Sequence, residues 1–275
     1  MAANLTWDHP DIVDLVERAL SEDIGSGDVT TEACVPADQQ ASGYFLTREP
    51  LVLAGTSLLE LIYRQEAVTV DHSDGQLLEA ETVFARVTGS ARRLLTLERT
   101  ALNLLQRTSA IATATQRFVE AVDGTNCRVL DTRKTAPGMR RLEKLAVRAG
   151  GGVNHRIGLS DAILIKNNHI TAAGGVTQAL ANCRECELPI ELEVRTFDEL
   201  REALANQADH LLLDNFTPTE VHQAVALIDG RATIEVSGNI TLDTIRAYAE
   251  AGTDFASVGA LTHSARAVDI SFRLE

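Results

Sequence analysis

The sequence predicts a two-domain α/β protein, with an α+β domain over residues 1–106 and an α/β barrel over residues 107–275. Beyond residue 127, short apolar runs typical of strands alternate with helical patterns. The last four of these runs recur about every twenty residues, which is the length of one β/α unit. The runs are continuously apolar, as is typical of parallel strands covered by helices on their faces.

The N-terminal domain has a different pattern, in which apolar and polar residues alternate and turns intervene. The predicted strands of this domain are residues 43–47, 51–54, 67–71 and 82–87, with one helix among them. A long helical pattern over residues 97–122 joins the two domains, because Leu97, Ala101 and Leu104 recur on one stripe.

The barrel domain has six predicted strands, and several of its helices have clear start signals. The strands are residues 129–130, 163–165, 190–194, 211–213, 233–236 and 255–258. Capping boxes of the form T-x-x-E begin at Thr196 and at Thr217. Pro218 suits the first helical position after Thr217. Thr241 is the predicted N-cap of the next helix.

The composition describes a folded protein that repels polyanions. Its 275 residues include 25 Lys and Arg against 39 Asp and Glu, a net charge of −14, and 45% are hydrophobic. The hydrophobic fraction argues against disorder, and the net charge disfavours nonspecific binding to nucleic acid or anionic membranes. Residues 1–10 lack the pattern of a signal peptide, and no apolar run approaches about 18 residues. We therefore expect a cytoplasmic protein that neither enters a membrane nor binds nucleic acid.

Cys183 and Cys186 form a C-x-x-C motif, which occurs in redox sites and in zinc sites. No second ligand pair lies at zinc-finger spacing, and the motif does not follow a strand of a thioredoxin-like unit. The sequence therefore favours neither role.

Polar residues stand at the ends of six predicted barrel strands. They are Asp131-Thr132-Arg133-Lys134, Lys166-Asn167-Asn168-His169, Glu193, Asp214-Asn215, Ser237-Gly238-Asn239 and Gly259-Ala260. Taken alone, Asp214 or Ser237 fits a helix cap or a turn better than a site. Active-site groups of α/β barrels cluster at the carboxyl ends of the strands, so the six ends together predict one site.

Basic residues concentrate in one segment of this acidic chain. Residues 128–166 contain nine basic residues against three acids, and they include all three lysines of the chain, Lys134, Lys144 and Lys166. A cationic pocket in an anionic protein suits a small polyanion, such as a polycarboxylate or a phosphorylated sugar. The glycines at 150–152 permit close backbone approach but are weak signals by themselves.

Glu193 and Asp214 are the only acids that we expect among the inward-facing strand ends. They suit ribose hydroxyls or a Mg²⁺ ion carried by a pyrophosphate, and a general base is the competing interpretation. The chain has no Walker A motif, no nucleophile elbow and no G-x-G-x-x-G after a strand. P-loop, hydrolase and Rossmann functions therefore lack local support.

Three motifs carry a family resemblance: DTRKTAPGMR at residues 131–140, GGGVNHR at 150–156 and LIKNNH at 164–169. Further matches are EDIGSGDVTT at 22–31, ELEV at 191–194, LDNF at 213–216, EVSGNI at 235–240 and SVGALT at 257–262. In this ordered series the chain resembles the quinolinate phosphoribosyltransferases, also called nicotinate-nucleotide pyrophosphorylases (carboxylating), of the type II phosphoribosyltransferase family. The similarity runs from about residue 8 to the C-terminus.

The resemblance implies an N-terminal α/β sandwich domain followed by an incomplete, TIM-like α/β barrel, with the C-terminal tail packed back on the N-terminal domain. It also implies a homodimer in which the partner subunit completes the active site. The implied reaction converts quinolinate and phosphoribosyl pyrophosphate, with Mg²⁺, into nicotinate mononucleotide, pyrophosphate and CO₂. This reaction is a step of de novo NAD biosynthesis.

The resemblance also assigns roles to individual residues. Arg133, His155 and Arg156 would hold the quinolinate carboxylates, and Arg99 would reach in from the partner subunit. Lys134 and Lys166 would neutralise carboxylate and pyrophosphate as catalytic residues, together with Glu193 and Asp214, which would bind ribose hydroxyls or Mg²⁺. The remaining substrate contacts would come from Thr132, Ser237, Gly238, Asn239 and Gly259.

Two other functions are compatible with the same fold. One is a paralogous phosphoribosyltransferase of the type associated with molybdate transport, which would act on another acceptor. The other is a noncatalytic protein that binds a phosphorylated metabolite. The complete set of carboxylate-binding arginines argues against the first, and the intact Lys134, Lys166, Glu193 and Asp214 argue against the second.

Overall fold

A computed structural model describes residues 5–275 and confirms the α/β class. Residues 1–4, part of the stretch assessed for a signal peptide, lie outside the described residues. The chain forms two compact units. The N-terminal unit contains the described residues up to Gln116 together with Thr135–Gly151 and Leu261–Glu275, and the barrel unit contains Arg117–Lys134 and Gly152–Ala260.

The elements follow in chain order. The helices are α1 (Pro10–Ile24), α2 (Val29–Cys34), α3 (Ser57–Ile62), α4 (Ala91–Ala121), α5 (Arg140–Ala149), α6 (Asn167–Ala173), α7 (Val176–Cys183), α8 (Phe197–Ala205), α9 (Pro218–Ile228), α10 (Leu242–Glu250) and α11 (Ala260–His263). The strands are β1 (Gln40–Thr47), β2 (Leu51–Val52), β3 (Ala67–Val70), β4 (Leu77–Leu78), β5 (Val83–Ser90), β6 (Arg128–Leu130), β7 (Ile163–Ile165), β8 (Ile190–Val194), β9 (His210–Asp214), β10 (Thr233–Ser237), β11 (Phe255–Ser257) and β12 (Ile270–Leu274).

The N-terminal unit is built on a four-stranded antiparallel sheet in the order β12-β1-β5-β3. Its core includes three fully buried rings, in which Phe45 packs against Tyr63 and against Phe84 with ring centroids 6.1 Å apart in each pair. Phe45 is also the register partner of Phe272. Residues from β12 therefore complete this sheet and its core.

The barrel unit contains six parallel strands in the order β6-β11-β10-β9-β8-β7. Strands β6 and β7 stand at the two ends of this order, so the barrel is incomplete, as predicted. A single parallel bridge joins Val153 to Leu130 of β6. Because the strands are parallel, their carboxyl ends meet at the same edge of the sheet.

The predicted strands of the barrel unit agree with the observed bounds to within one residue. Helix α4 begins earlier than predicted, at Ala91, and continues to Ala121. The predicted domain boundary at residues 106 and 107 lies inside this helix and stays a prediction. Among the described residues, no helix combines the length and the apolar composition that a membrane span requires.

The predicted helix starts are confirmed at α9 and α10 and differ in one detail at α8. Thr217 and Glu220 form a complete capping box, and Thr241 caps α10 with Thr244 as its reciprocal partner. Thr196 accepts the Glu199 N–H at 3.1 Å, but the Glu199 carboxylate accepts the N–H of Arg195 instead of that of Thr196. The glutamate therefore satisfies an N–H one residue before the cap.

Candidate active site

The barrel unit brings together, at the carboxyl ends of its strands, all the predicted site residues except Arg99. Strand β6 is followed by Thr132, Arg133 and Lys134, and the Val153 bridge is followed by His155 and Arg156. Lys166 follows β7, Glu193 lies in β8 and Asp214 ends β9. Ser237 ends β10 and precedes Gly238 and Asn239, and Gly259 follows β11. Arg99 lies on α4 in the N-terminal unit, where it is exposed.

Two arginines form an unsatisfied cationic pair. Within residues 5–275, the buried Nε atoms of Arg133 and Arg156 have no hydrogen-bond partner. Burial, and then the nearby charge of Arg133, lowers the pKa of Arg156. Buried N–H donors and neighbouring like charges are both costly unless an anion binds to them. The pair therefore suits a ligand that carries carboxylates.

The loop after Arg156 is held by an aspartate. Asp161 accepts the N–H groups of Ile157 at 2.5 Å and Gly158 at 2.8 Å, and Arg156 Nη1 donates to the Ala162 carbonyl at 3.0 Å. Burial works to raise the pKa of Asp161, but these backbone hydrogen bonds and the charge of Arg156 outweigh it and lower the pKa. The guanidinium is thus oriented before any ligand binds.

Lys166 and Glu193 form an ion pair at the ends of β7 and β8. Lys166 Nζ lies 3.2 Å from Glu193 Oε2, and the other carboxylate oxygen accepts the Asn167 N–H at 3.4 Å. The carboxylate is 8% exposed, whereas the lysine side chain is 47% exposed. The ammonium group can therefore contact a ligand while it stays paired with Glu193.

Asp214 adds a second carboxylate beside Glu193. Burial, and then the charge of Glu193, raises the pKa of Asp214, while Asn215 and Lys166 act against this shift. Two repelling carboxylates favour a bound cation between or near them, and carboxylate oxygens are ligands that Mg²⁺ prefers. The donor set of Glu193 and Asp214 therefore fits Mg²⁺.

The loop after β10 lies close to the end of β9. The Ser237 carbonyl accepts the Asn215 N–H at 2.8 Å. Gly238 has a φ of 101°, and a Cβ atom there would lie 3.0 Å from the Asn215 backbone nitrogen and would overlap its side chain. Asn239 follows at a φ of 50°. Only glycine suits the central position of this tight loop.

A cluster of His155, Glu191 and Glu235 lies below the strand ends, with Glu235 buried and the other two half-buried, and it adds two acids at inner positions of β8 and β10. His155 Nε2 lies 2.8 Å from Glu191 Oε2 and 3.7 Å from Glu235 Oε2. Burial works to raise the pKa of Glu191, but His155 outweighs it and lowers the pKa. Burial, and then the charge of Glu191, raises the pKa of Glu235.

The ligand atoms of this cluster lie within 4.8 Å of one another, as a metal site would require. His155 Nδ1, however, accepts the Arg156 N–H at 2.8 Å. A backbone N–H can only donate, so Nδ1 is unprotonated and the ring proton of a neutral imidazole lies on Nε2. A protonated Nε2 cannot bind a metal, and the cluster is therefore a hydrogen-bond network.

Two family models match this chain. "Quinolinate phosphoribosyl transferase, C-terminal domain" matches residues 111–273, and the corresponding N-terminal domain matches residues 28–109. The chain belongs to the quinolinate phosphoribosyl transferase family.

Three relatives of this quinolinate phosphoribosyl transferase family member align over nearly their whole length. A nicotinate-nucleotide pyrophosphorylase [carboxylating] of Mycobacterium leprae is 44% identical, over 95% of this chain and 96% of the relative. The structure of the Francisella tularensis nicotinate-nucleotide pyrophosphorylase superposes with a TM-score of 0.92 at 39% identity, covering 97% of each chain. That of "NadC" from Streptococcus pyogenes gives 0.93 at 39% identity, covering 100% of this chain and 99% of the other.

Sequence reasoning assigned no individual role to three residues that organise the site in this family member. Asp131 is fully buried, and its carboxylate accepts the His155 N–H at 2.9 Å and Asn154 Nδ2 at 2.6 Å. The other two are Glu191 and Glu235. The sequence did contain a sign of Glu191, because β8 carries acids at the alternate positions 191 and 193, whereas a strand covered by helices is normally apolar.

Proposed function

We propose that this protein transfers the phosphoribosyl group of phosphoribosyl pyrophosphate to quinolinate and removes one carboxylate, which gives nicotinate mononucleotide, pyrophosphate and CO₂ for NAD biosynthesis. The observation that carries this proposal is the unsatisfied pair of Arg133 and Arg156. Two adjacent guanidinium groups with open donors complement a dicarboxylate such as quinolinate. Family membership supports the same acceptor.

The carboxylates of quinolinate would bind Arg133 and Arg156, with Lys134 beside them and His155 behind Arg156. Arg99 would come from the partner subunit of a homodimer. The exposure of Arg99 on α4 supports this role, because an unburied guanidinium can reach a second chain. Thr132 shapes the turn, since its Oγ1 accepts the Lys134 N–H at 3.0 Å.

Phosphoribosyl pyrophosphate would bind on the opposite side of the strand ends. Lys166 would neutralise pyrophosphate oxygens, and Glu193 and Asp214 would bind ribose hydroxyls. The tight loop of Ser237, Gly238 and Asn239, together with Gly259, would hold phosphate through backbone N–H groups. Glu193 and Asp214 would also hold Mg²⁺, which when bound offsets the negative charge of the pyrophosphate that departs.

The reaction follows from positioning and electrostatics. As the bond between ribose C1 and the pyrophosphate oxygen breaks, the bonding electron pair leaves with pyrophosphate and the pyridine nitrogen of quinolinate forms the new bond to C1. The ring nitrogen is then positively charged. The adjacent ring carbon loses CO₂, keeps the electron pair under the stabilising influence of this charge, and takes up a proton. Lys166 would stabilise the leaving group, and the arginines would hold the ring in line.

Cytoplasmic location belongs to the same proposal. The four cysteines are free thiols, which suits a reducing compartment.

The decisive experiment supplies quinolinate, phosphoribosyl pyrophosphate and Mg²⁺ to the purified protein and follows nicotinate mononucleotide and CO₂ together. We expect matched release of both products, and none when nicotinate replaces quinolinate. Binding of both ligands without product would favour the paralogue or a binding protein. Product from nicotinate alone would show that the carboxylate pocket has been misassigned.

A further inference from the structure

A layer of polar side chains lies beneath the strand ends of the barrel unit. Glu193 and Glu235 are both register partners of Leu212, so their side chains share one face of the sheet, and Glu191 lies on the same face as Glu193. Ser257 Oγ donates to Glu235 Oε1. Branched apolar residues normally fill such layers in α/β barrels. Buried acids at these positions therefore need an explanation.

Two acids, Asp131 and Glu191, hold His155 by hydrogen bonds. Its backbone N–H donates to Asp131 at 2.9 Å, its Nδ1 accepts the Arg156 N–H at 2.8 Å, and its Nε2–H donates to Glu191 at 2.8 Å. Both ring nitrogens thus have partners inside the protein. The imidazole links the Glu191 carboxylate to the backbone of Arg156.

We propose that Glu191 is a positioning residue for the carboxylate pocket: through His155 it fixes the backbone of Arg156, and so the guanidinium that binds a quinolinate carboxylate. This inference rests on the proposed function. Without an acceptor at residue 191, the Nε2–H would lose its 2.8 Å hydrogen bond, and the ring would turn toward Glu235, whose Oε2 lies 3.7 Å away. That rotation would withdraw Nδ1 from the Arg156 N–H.

Variants of Glu191 test this role, because they should change KM for quinolinate and leave KM for phosphoribosyl pyrophosphate nearly unchanged. Glu191→Met keeps the length of the side chain and removes the strong acceptor, whereas Glu191→Gln keeps an acceptor oxygen. We expect Glu191→Met to raise KM for quinolinate by about 10- to 100-fold, the range for a lost hydrogen bond to a charged group. KM for phosphoribosyl pyrophosphate should stay within about twofold, and Glu191→Gln should stay within about threefold for both substrates. Glu187→Met, at an exposed position before β8, is the matched control.

Three results would overturn the role: an unchanged quinolinate KM in Glu191→Met, equal increases of both KM values, or a Glu191→Gln enzyme no better than Glu191→Met. Wild-type protein that makes no product would overturn the proposed function instead. In that case calorimetry would test the positioning role separately, through the quinolinate dissociation constants of wild type, Glu191→Met and Glu191→Gln.

The ring proton gives a readout that does not depend on any variant folding. Nitrogen-15 NMR of the histidine-labelled wild-type protein distinguishes the two neutral tautomers. We expect His155 to carry its proton on Nε2. A proton on Nδ1 would break the link to Arg156 and overturn the proposal.

Discussion

At the residue scale, the site depends on two buried donor atoms without a partner and on one glycine in a left-handed backbone conformation. The Nε atoms of Arg133 and Arg156 are buried without hydrogen bonds in the described part of the chain. Gly238 has a backbone that other residues rarely adopt. The unpartnered Nε atoms cost stability that a bound anion would offset, and the glycine keeps the loop tight, so we expect replacement of either to affect substrate binding.

Replacement of Arg133 by alanine should lower kcat/KM for quinolinate by at least about 100-fold, because a bidentate, charge-assisted contact is lost. Steady-state kinetics with quinolinate as the varied substrate measures this. Arg201→Ala is the control, since Arg201 forms only an exposed pair with Asp198 and should stay near wild type. Wild-type kcat/KM in Arg133→Ala would contradict the assignment.

Replacement of Gly238 by alanine should raise KM for phosphoribosyl pyrophosphate while KM for quinolinate changes little. The new Cβ atom would lie 3.0 Å from the Asn215 nitrogen, at a φ of 101°. Backbone strain of this kind costs about 1–3 kcal/mol, or roughly 5- to 150-fold in binding if the loop must move. An unchanged KM for phosphoribosyl pyrophosphate would show that this loop does not bind the substrate.

At the element scale, a buried ion pair joins α4 to α5 within the N-terminal unit. Arg107 Nη2 lies 2.6 Å from Glu143 Oε1 and also donates to the Thr262 carbonyl. Glu143 is fully buried, and its other oxygen accepts the Ala136 N–H at 3.2 Å. The pair therefore holds two helices and the segment before α5.

Arg107→Ala should lower the free energy of unfolding by about 3–5 kcal/mol, because it leaves the Glu143 carboxylate buried and unpaired. Urea unfolding followed by circular dichroism measures this change. Arg64→Ala removes an exposed pair with Glu17 and should cost at most about 1 kcal/mol. If the two variants lost equal free energy of unfolding, the pair of Arg107 and Glu143 would stabilise the protein no more than an exposed pair does.

The sequence predicted elements better than it predicted contacts between them. The strands of the barrel unit were predictable because each apolar run is bounded by polar residues. The start of α4 was not, because Arg92 and Arg93 make its first turn polar and hide the apolar stripe. The cluster of His155, Glu191 and Glu235 was not predicted either. The acids at alternate positions of β8 were visible in the sequence, but their contact with His155 depends on strand register and on a loop that returns to the sheet, which the local sequence does not encode.

At the scale of the whole molecule, a buried titratable group makes stability depend on pH. Burial and the charge of Glu191 raise the pKa of Glu235, so the folded protein keeps a proton that the unfolded chain releases. This contribution to stability is complete below the ordinary pKa of a glutamate. It is lost as pH rises toward the raised pKa, by up to about 1.4 kcal/mol per pH unit.

Glu235→Gln removes that contribution, because the amide has the shape of the protonated acid and does not titrate. Relative to wild type, the variant should therefore gain stability as pH rises. Urea unfolding at several pH values between about 5 and 8 tests this sign. Glu187→Gln, which is exposed, should give a curve parallel to that of wild type. A parallel curve for Glu235→Gln would mean that Glu235 is ionised in the folded protein.

The pairing of β12 with β1 has a consequence for the order of folding. Thr47 of β1 pairs with Ile270, and every strand of the barrel unit lies between them in the chain. During synthesis β12 is therefore translated only after the whole barrel unit, and one edge of β1 stays unpaired until then. The unpaired edge is exposed for that time, as a template for faulty association. A chaperone that covers this edge during synthesis would therefore favour correct folding of the N-terminal sheet.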